Sequence, residues 1–208
     1  MLENIKGLEF SHPRLKICSD LPGIDSLLSS IRADRSGGEP LRQNISAVAE
    51  IMGRDWVSEN YPGRAGTIIG IPRSGVPMGN GLNAVFPGYD YLLSNDGGNR
   101  DEGQPILPNN LSINGPNLLV TDSVIVTGRT VALTLSAALS KASSLERVTV
   151  FAAFASAGGL INLLKIFPEL EINIGSIART KQHWDVHRWK SSLTLEGIPN
   201  LGELVSRP

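Results

Sequence analysis

The sequence has a single cysteine, few aromatic residues and no long apolar run. The one thiol, Cys18, excludes an intramolecular disulfide and a zinc site built only from cysteines. No stretch approaches the roughly 18–20 consecutive apolar residues of a membrane-spanning helix, and the first ten residues do not form a secretory signal pattern. These absences predict a cytoplasmic protein without a membrane segment.

An excess of charge of either sign is also absent. Nineteen Lys and Arg residues stand against 20 Asp and Glu residues, so the formal net charge is −1. No block of clustered basic residues occurs, and this argues against a nucleic-acid partner. The patterns GxxxxGKS/T and GxGxxG are missing as well, which argues against an ATPase and a dinucleotide-dependent enzyme.

The composition that remains is that of a folded domain, because 41% of the 208 residues are apolar and 19% are charged. We predict a single domain over 1–208, with a helical part over 1–60, a sheet core over 61–180 and a tail over 181–208. Apolar residues at helical spacing predict two helices in the first part, joined by a loop from Ser36 to Pro40. Their apolar faces are Ile24, Leu27, Leu28 and Ile31, and Ile45, Val48, Ala49 and Met52.

After residue 60, short apolar runs alternate with helical patterns. The predicted strands are 67–71, 118–121, 148–154 and 171–177; the predicted helices are 77–85, 130–141 and one that ends at Phe167. This alternation predicts an α/β fold with a central, mainly parallel sheet flanked by helices. Ligands of such sheets bind beyond the carboxyl ends of the strands, so the loops there are expected to hold the chemistry.

The most informative loop follows the strand at 118–121. Gly128 allows a backbone conformation in which successive amides point to one place, and Thr130 is of a type that caps the start of a helix. Such amides attract a phosphate, while Asp122 at the strand end could accept hydrogen bonds from two sugar hydroxyls. The alternative is an ordinary strand-to-helix turn with a capping threonine.

Several segments resemble the uracil phosphoribosyltransferase branch of the type I phosphoribosyltransferases. DSVIVTGRT at 122–130 is similar to the DPMLATGGS-like loop of that family. IPRSGVPMGNGL at 71–82 resembles its LRAGL-like turn, and NRDEG at 99–103 resembles its YRDEET-like segment. SHPRL at 11–15 and IRADRSGGEPLR at 31–42 resemble segments near the start of the family, so the resemblance covers almost the whole chain.

The resemblance implies a type I phosphoribosyltransferase fold and transfer of a phosphoribosyl group from phosphoribosyl pyrophosphate to a ring nitrogen of a base. It implies Mg²⁺ bound mainly through the pyrophosphate, no metal site of the protein's own, a homodimer, and an active-site loop over 93–114 that closes on the substrate. The implied catalytic residues are Arg73 and Arg100, which hold the pyrophosphate, and Asp122. The implied substrate-binding residues are Ser74, Gly75, Ser123, Val126, Thr127, Gly128, Arg129, Thr130, Ile198, Asn200, Gly202 and Glu203.

The chain departs from the family pattern mainly at the acceptor end. The family's tail YIVPGLGDAGDR is replaced by GIPNLGELVSRP at 197–208, with Asn200 in place of Gly and Glu203 in place of Asp; Ala178 also stands where the family has Asp. We therefore hypothesise that the donor half is retained and that the acceptor differs from plain uracil. In the phosphate loop, Arg129 replaces a Gly; its side chain could strengthen phosphate binding or could point outward.

Two further readings stay open. His183, Trp184, His187 and Trp189 could stack on a planar acceptor, or they could pack a strand or a subunit contact. The chain could also be a non-catalytic sensor of phosphoribosyl pyrophosphate, or an inactive subunit that supports an active homologue.

Overall fold

The computed structural model describes residues 12–60, 65–95, 106–108, 111–185 and 190–207. The side chains of 182–185 and 190–192 are outside this description. So are Arg100, most of the predicted closing loop, and the four His and Trp side chains proposed to stack on an acceptor.

A parallel sheet forms the centre of the described structure. Its strands are β1 (Leu15–Ile17), β2 (Gly66–Gly70), β3 (Asp90–Leu93), β4 (Asn117–Thr121), β5 (Val124–Ile125), β6 (Arg147–Ala155) and β7 (Glu171–Ile177). The order is β1-β7-β6-β4-β2-β3, and β5 pairs with the end of β6. Every pairing in this sheet is parallel. The predicted α/β fold with a mainly parallel sheet is confirmed.

Helices cover both faces of the sheet. They are α1 (Ile24–Ala33), α2 (Gly38–Asn60), α3 (Gly75–Val85), α4 (Arg129–Leu139), α5 (Ala157–Ile166) and α6 (Leu201–Leu204). Because neighbouring residues of a strand point to opposite faces, Ile68 and Leu119 pack with α1, α2 and α3, whereas Ile69 and Val120 pack with α4 and α5. A sheet buried on both faces explains why every residue of β2 and β4 is buried and why their sequences do not alternate between apolar and polar residues.

Several elements differ from the sequence prediction. The loop predicted from Ser36 to Pro40 is shorter, since α2 begins at Gly38 and Pro40 lies in its first turn, where a missing amide hydrogen costs no helical hydrogen bond. The helix predicted from residue 77 begins at Gly75 for the same reason. Strands β1, β3 and β5 were not expected. Neither was the antiparallel pair β8 (Thr180–Asp185) and β9 (Lys190–Leu195).

None of the helices in the described ranges combines the length and the apolar character needed to cross a membrane. The division of the chain into a single domain with three parts stays a prediction.

Candidate functional site

The site lies where the loops after β2 and β4 meet. The two strands are paired, with Gly70 opposite Thr121, so both loops leave the sheet at the same edge. The Ile71 amide donates to the Thr121 carbonyl at 2.9 Å, and the Thr121 hydroxyl donates to the Gly75 carbonyl at 2.8 Å. A Cβ atom at Gly75 would lie 2.4 Å from the Thr121 oxygen, so this close approach requires glycine.

Asp122 is the first residue after β4, and its carboxyl group faces the site. Oδ1 accepts a hydrogen bond from Ser74 Oγ at 3.1 Å and one from the Val124 amide at 3.4 Å. Burial raises the pKa of the Asp122 carboxyl to about 7, against the opposite effect of these hydrogen bonds. This carboxyl can therefore change its protonation state near neutral pH, which an ordinary surface aspartate does not.

A cavity of about 760 Å³ opens beside Asp122. One wall is formed by the loops after β2 and β4, and the opposite wall by β9 and the segment that follows it. The predicted site residues that line the cavity are Arg73, Ser74, Asp122, Val126, Thr130, Ile198, Asn200 and Gly202. The structure therefore brings the predicted donor loops and the predicted acceptor tail to one space.

The start of α4 borders the same cavity. Gly128 precedes the helix with φ 76° and packs tightly against α5, because a Cβ atom there would lie 2.8 Å from the Gly159 oxygen. The Arg129 amide donates to Thr127 Oγ1 at 3.3 Å. The Thr130 and Val131 amides have no acceptor among the described residues, as is usual for the first turn of a helix. These free amides and the helix dipole suit an anion.

The prediction that Thr130 caps α4 is wrong. Gly128 occupies the cap position and Thr130 is the second residue of the helix. The left-handed conformation needed at this turn favours glycine over a side chain that could cap by hydrogen bonding. Thr130 instead lines the cavity.

Arg73 is exposed and reaches across the cavity to the tail. Its Nε and Nη2 atoms lie 3.6 Å from the position that a Cβ atom on Gly202 would occupy. The guanidinium has no acceptor among the described residues, so its donors are free for a ligand. The peptide bond between Pro72 and Arg73 is cis.

The last part of the tail, which follows β9, forms part of the opposite wall. Asn200 caps the short helix α6, and its Oδ1 accepts from the Glu203 amide at 3.4 Å. Ile198, Asn200 and Gly202 face the cavity, whereas Glu203 is exposed and does not line it.

Some predicted site residues lie beside the cavity without lining it. They are Gly75, Ser123, Thr127, Gly128, Arg129 and Glu203. Ser123 is fully buried, and its hydroxyl donates to the Ser74 carbonyl. Arg129 is exposed at the first position of α4. The roles predicted for these residues stay predictions.

Three charged residues that were not predicted also line the cavity: Arg35, Lys181 and Glu196. Arg35 belongs to the segment 31–42 that resembles the family, and Lys181 precedes the His and Trp residues at 183–189, but nothing local indicates that the two segments line one cavity. In the part of the chain that the structure describes, no three His, Cys, Asp or Glu side chains gather to hold a metal ion.

A family model described as uracil phosphoribosyltransferase matches residues 61–183. The structure of the AQ2163 protein from Aquifex aeolicus is similar over 92% of this chain and 97% of that chain, with a TM-score of 0.70 and 16% sequence identity. This likeness concerns the fold.

More distant matches include the APRTase from Giardia lamblia complexed with 9-deazaadenine, which has a TM-score of 0.48 and 13% identity over 64% of this chain and 81% of that chain. The purine phosphoribosyltransferase from Pyrococcus horikoshii has a TM-score of 0.43 and 14% identity over 64% and 82%. No curated protein matches the sequence significantly.

Proposed function

The chain belongs to the uracil phosphoribosyltransferase family, and from this premise we propose that it transfers the 5-phosphoribosyl group of phosphoribosyl pyrophosphate to a ring nitrogen of uracil or a related nucleobase-like acceptor. Pyrophosphate is the other product. The observation that carries the proposal is the placement of Asp122, Arg73 and the start of α4 around one cavity.

The donor occupies the sheet side of the cavity in this proposal. The free amides at the start of α4 bind the 5′-phosphate, because a helix start offers donors and a favourable dipole to an anion. The Asp122 carboxylate accepts hydrogen bonds from the two ribose hydroxyls next to it. Arg73 binds the pyrophosphate, since a guanidinium stays charged and presents a planar set of donors to phosphate oxygens.

The reaction breaks the bond between ribose C1 and the pyrophosphate oxygen and forms a bond from C1 to the ring nitrogen. Where that nitrogen carries a proton, as in uracil, the proton passes to solvent. Positive charge develops on the sugar and negative charge on the leaving group. Arg73 lowers the barrier by stabilising the leaving pyrophosphate, and the fixed sugar and phosphate hold C1 in line with the acceptor.

The residues around the cavity fit a Mg²⁺ ion carried by the donor better than one held by the protein. Asp122 and Glu196 are the carboxylates among the described residues that line the cavity, and Mg²⁺ commonly takes one or two carboxylates together with phosphate oxygens and water. When bound, the ion would neutralise charge on the pyrophosphate.

The acceptor occupies the tail side in this proposal, against Ile198, Asn200 and Gly202. Asn200 adds a polar side chain to a wall where the family has glycine, which supports an acceptor other than plain uracil. The cytoplasmic location, the homodimer and the loop that closes over the substrate stay predictions.

The test is pyrophosphate release from phosphoribosyl pyrophosphate and Mg²⁺ with a panel of ring acceptors, together with calorimetric titration of the donor. We expect Asp122→Asn to weaken donor binding at pH 8 by roughly tenfold or more, and Arg73→Gln to lower kcat more than donor affinity. Arg54→Gln is the control, because Arg54 is exposed on α2 and pairs only loosely with Glu50 at 3.7 Å.

Two results would overturn the proposal. One is a protein that does not bind the donor at all. The other is donor binding without pyrophosphate release for any ring, which would indicate a sensor of phosphoribosyl pyrophosphate or an inactive subunit.

A further inference from the structure

Two cationic side chains that take no part in the proposed donor contacts also line the cavity. Arg35 lies in the connection between α1 and α2, and Lys181 lies in β8; both are exposed and both border the cavity. Glu196 is the one carboxylate on the wall formed by β9 and the tail among the described residues. The tail side of the cavity therefore carries an excess of positive charge.

The Arg35 guanidinium is held in place by its own loop. Nη1 donates to the carbonyl oxygens of Arg32 at 2.6 Å and Asp34 at 2.8 Å. Nε and Nη2 have no acceptor among the described residues, so one edge of the planar group is free. A cation that is oriented in advance binds an anion with less loss of side-chain freedom.

The acidic groups nearest to Arg35 in sequence are occupied elsewhere. Asp34 Oδ1 accepts the amides of Ser36 and Gly37, each at 2.8 Å, and Glu39 pairs with Arg42 at 2.9 Å. Arg35 thus has no carboxylate partner in the part of the chain that the structure describes.

The connection that carries Arg35 is also fixed to the acceptor wall. Arg207 Nη1 donates to the Arg35 carbonyl at 2.8 Å, and a Cβ atom on Gly37 would lie 2.3 Å from the Leu204 carbonyl oxygen. These contacts tie Arg35 to the tail and not to the sheet edge that bears Asp122. Arg35 therefore lines the cavity from the side assigned to the acceptor.

A neutral base needs no cationic side chain to bind its edge. Hydrogen bonds from backbone groups and small polar side chains satisfy the edge of an uncharged ring, whereas a carboxylate is bound best by charge-assisted and bidentate hydrogen bonds. We propose that the acceptor is a planar ring that bears a carboxylate, and that Arg35 and Lys181 select it by binding this group. This inference rests on the proposed phosphoribosyl transfer and names its substrate class.

The experiment compares rings that have nearly the same shape and differ in charge. Pyrophosphate release with the donor and Mg²⁺ is measured for uracil against orotate, and for nicotinamide against nicotinate. We expect the anionic ring of at least one pair to have the higher kcat/KM by roughly tenfold or more, the size of one charge-assisted hydrogen bond.

Variants then test which residues cause the preference for the anionic ring. Arg35→Gln and Lys181→Gln should each lower the ratio of anionic to neutral kcat/KM by roughly tenfold, and Arg35→Lys should restore part of it. The controls are Arg54→Gln and Lys165→Gln, which remove exposed cations distant from the cavity and should leave the ratio unchanged. If Arg35 had a purely structural role, its substitution would lower kcat/KM for the anionic and the neutral ring equally and leave their ratio unchanged.

Three outcomes overturn the inference. If a neutral ring is the better substrate of both pairs, the inference fails and the proposed function stands. If the variants weaken calorimetric binding of phosphoribosyl pyrophosphate and leave the ratio unchanged, the two cations bind the donor. If no ring in the panel causes pyrophosphate release, the proposed function is wrong, and this inference, which rests on it, is wrong as well.

Discussion

At the scale of single residues, Asp122 connects the chemistry of the site to pH. Its raised pKa of about 7 means that it is largely protonated below neutral pH and largely ionised above it. Only the ionised form offers all of its oxygen lone pairs to the donor hydroxyls. In the proposed complex the donor hydroxyls donate to the ionised carboxylate, so donor binding at low pH is expected to release the proton of Asp122.

We expect donor affinity to be roughly tenfold lower at pH 6 than at pH 8, because a group with a pKa near 7 is about 90% protonated at pH 6. Calorimetric titration with phosphoribosyl pyrophosphate and Mg²⁺ across this range measures the change. Asp122→Asn is the control, since the ligand's own phosphate titrates equally in both proteins. A steep profile that persists in Asp122→Asn would assign the pH dependence to the ligand.

Gly128 is the second residue whose role can be tested alone. It combines φ 76° with a tight contact, because a Cβ atom would lie 2.8 Å from the Gly159 oxygen and 2.9 Å from Leu163 Cγ. Gly128→Ala should lower the unfolding free energy by about 2–4 kcal/mol, from backbone strain and displacement of α5. It should also weaken donor binding by moving the α4 amides.

The matched control is Gly197→Ala. Gly197 has a similar φ of 71°, but a Cβ atom there would meet nothing within 4 Å. This substitution should cost only the backbone strain of about 1 kcal/mol. Equal losses in urea denaturation for the two variants would contradict the role of the contact with α5.

At the scale of elements, the loops after β2 and β4 are joined by a buried hydrogen bond that the sequence analysis did not foresee. The Ser123 hydroxyl donates to the Ser74 carbonyl, and Ser74 Oγ in turn donates to Asp122. Ser123 thus fixes the turn that carries Arg73 relative to the carboxyl group at the end of β4. Ser123 does not line the cavity, and we propose that it acts as a positioning residue.

Ser123→Ala should lower the unfolding free energy by about 1–2 kcal/mol, because the buried Ser74 carbonyl loses its partner. It should also lower kcat more than it raises the KM of the donor, since Arg73 stabilises the leaving group in the proposed reaction. Ser140→Ala is the control: its exposed hydroxyl donates to the Ala137 carbonyl at 2.8 Å far from the site. A loss of stability at normal kcat would make Ser123 merely structural.

The strands also show which elements can be predicted from the sequence. Strands β2, β4, β6 and β7 are buried runs, and each was predicted within about two residues. Strand β1 has three residues, β5 has two, and β3 is an exposed edge strand of mixed polarity. Such segments owe their structure to pairing with a neighbour and not to local preference.

Residues of the site divide in a similar way. Asp122 and Gly128 stand out locally, because an acid and a glycine follow a buried strand at a useful spacing. Arg35 and Lys181 lie about 146 residues apart in the sequence and line one cavity only through the tertiary fold, in which the end of the chain packs against the connection between α1 and α2. No local pattern could have joined them.

At the scale of the whole molecule, the docked tail completes the cavity. Arg42 on α2 holds it, since Nη1 donates to the Val205 carbonyl at 2.7 Å and to the Arg207 carbonyl at 3.0 Å. In the proposed function the tail forms the acceptor wall, so acceptor binding should depend on this contact. The donor loops on the sheet edge should depend on it much less.

We expect Arg42→Ala to raise the acceptor KM by roughly tenfold, as the loss of two hydrogen bonds from a charged group costs on the order of 1.5–3 kcal/mol. Hydrogen exchange should become faster at residues 198–207 and stay unchanged in β4, and calorimetry should give the same donor affinity. The control is Arg54→Ala on the same helix, whose guanidinium lies 3.7 Å from Glu50. If exchange in β4 accelerates together with the tail, the tail is part of the global stability of the fold and not a separately docked wall of the acceptor site.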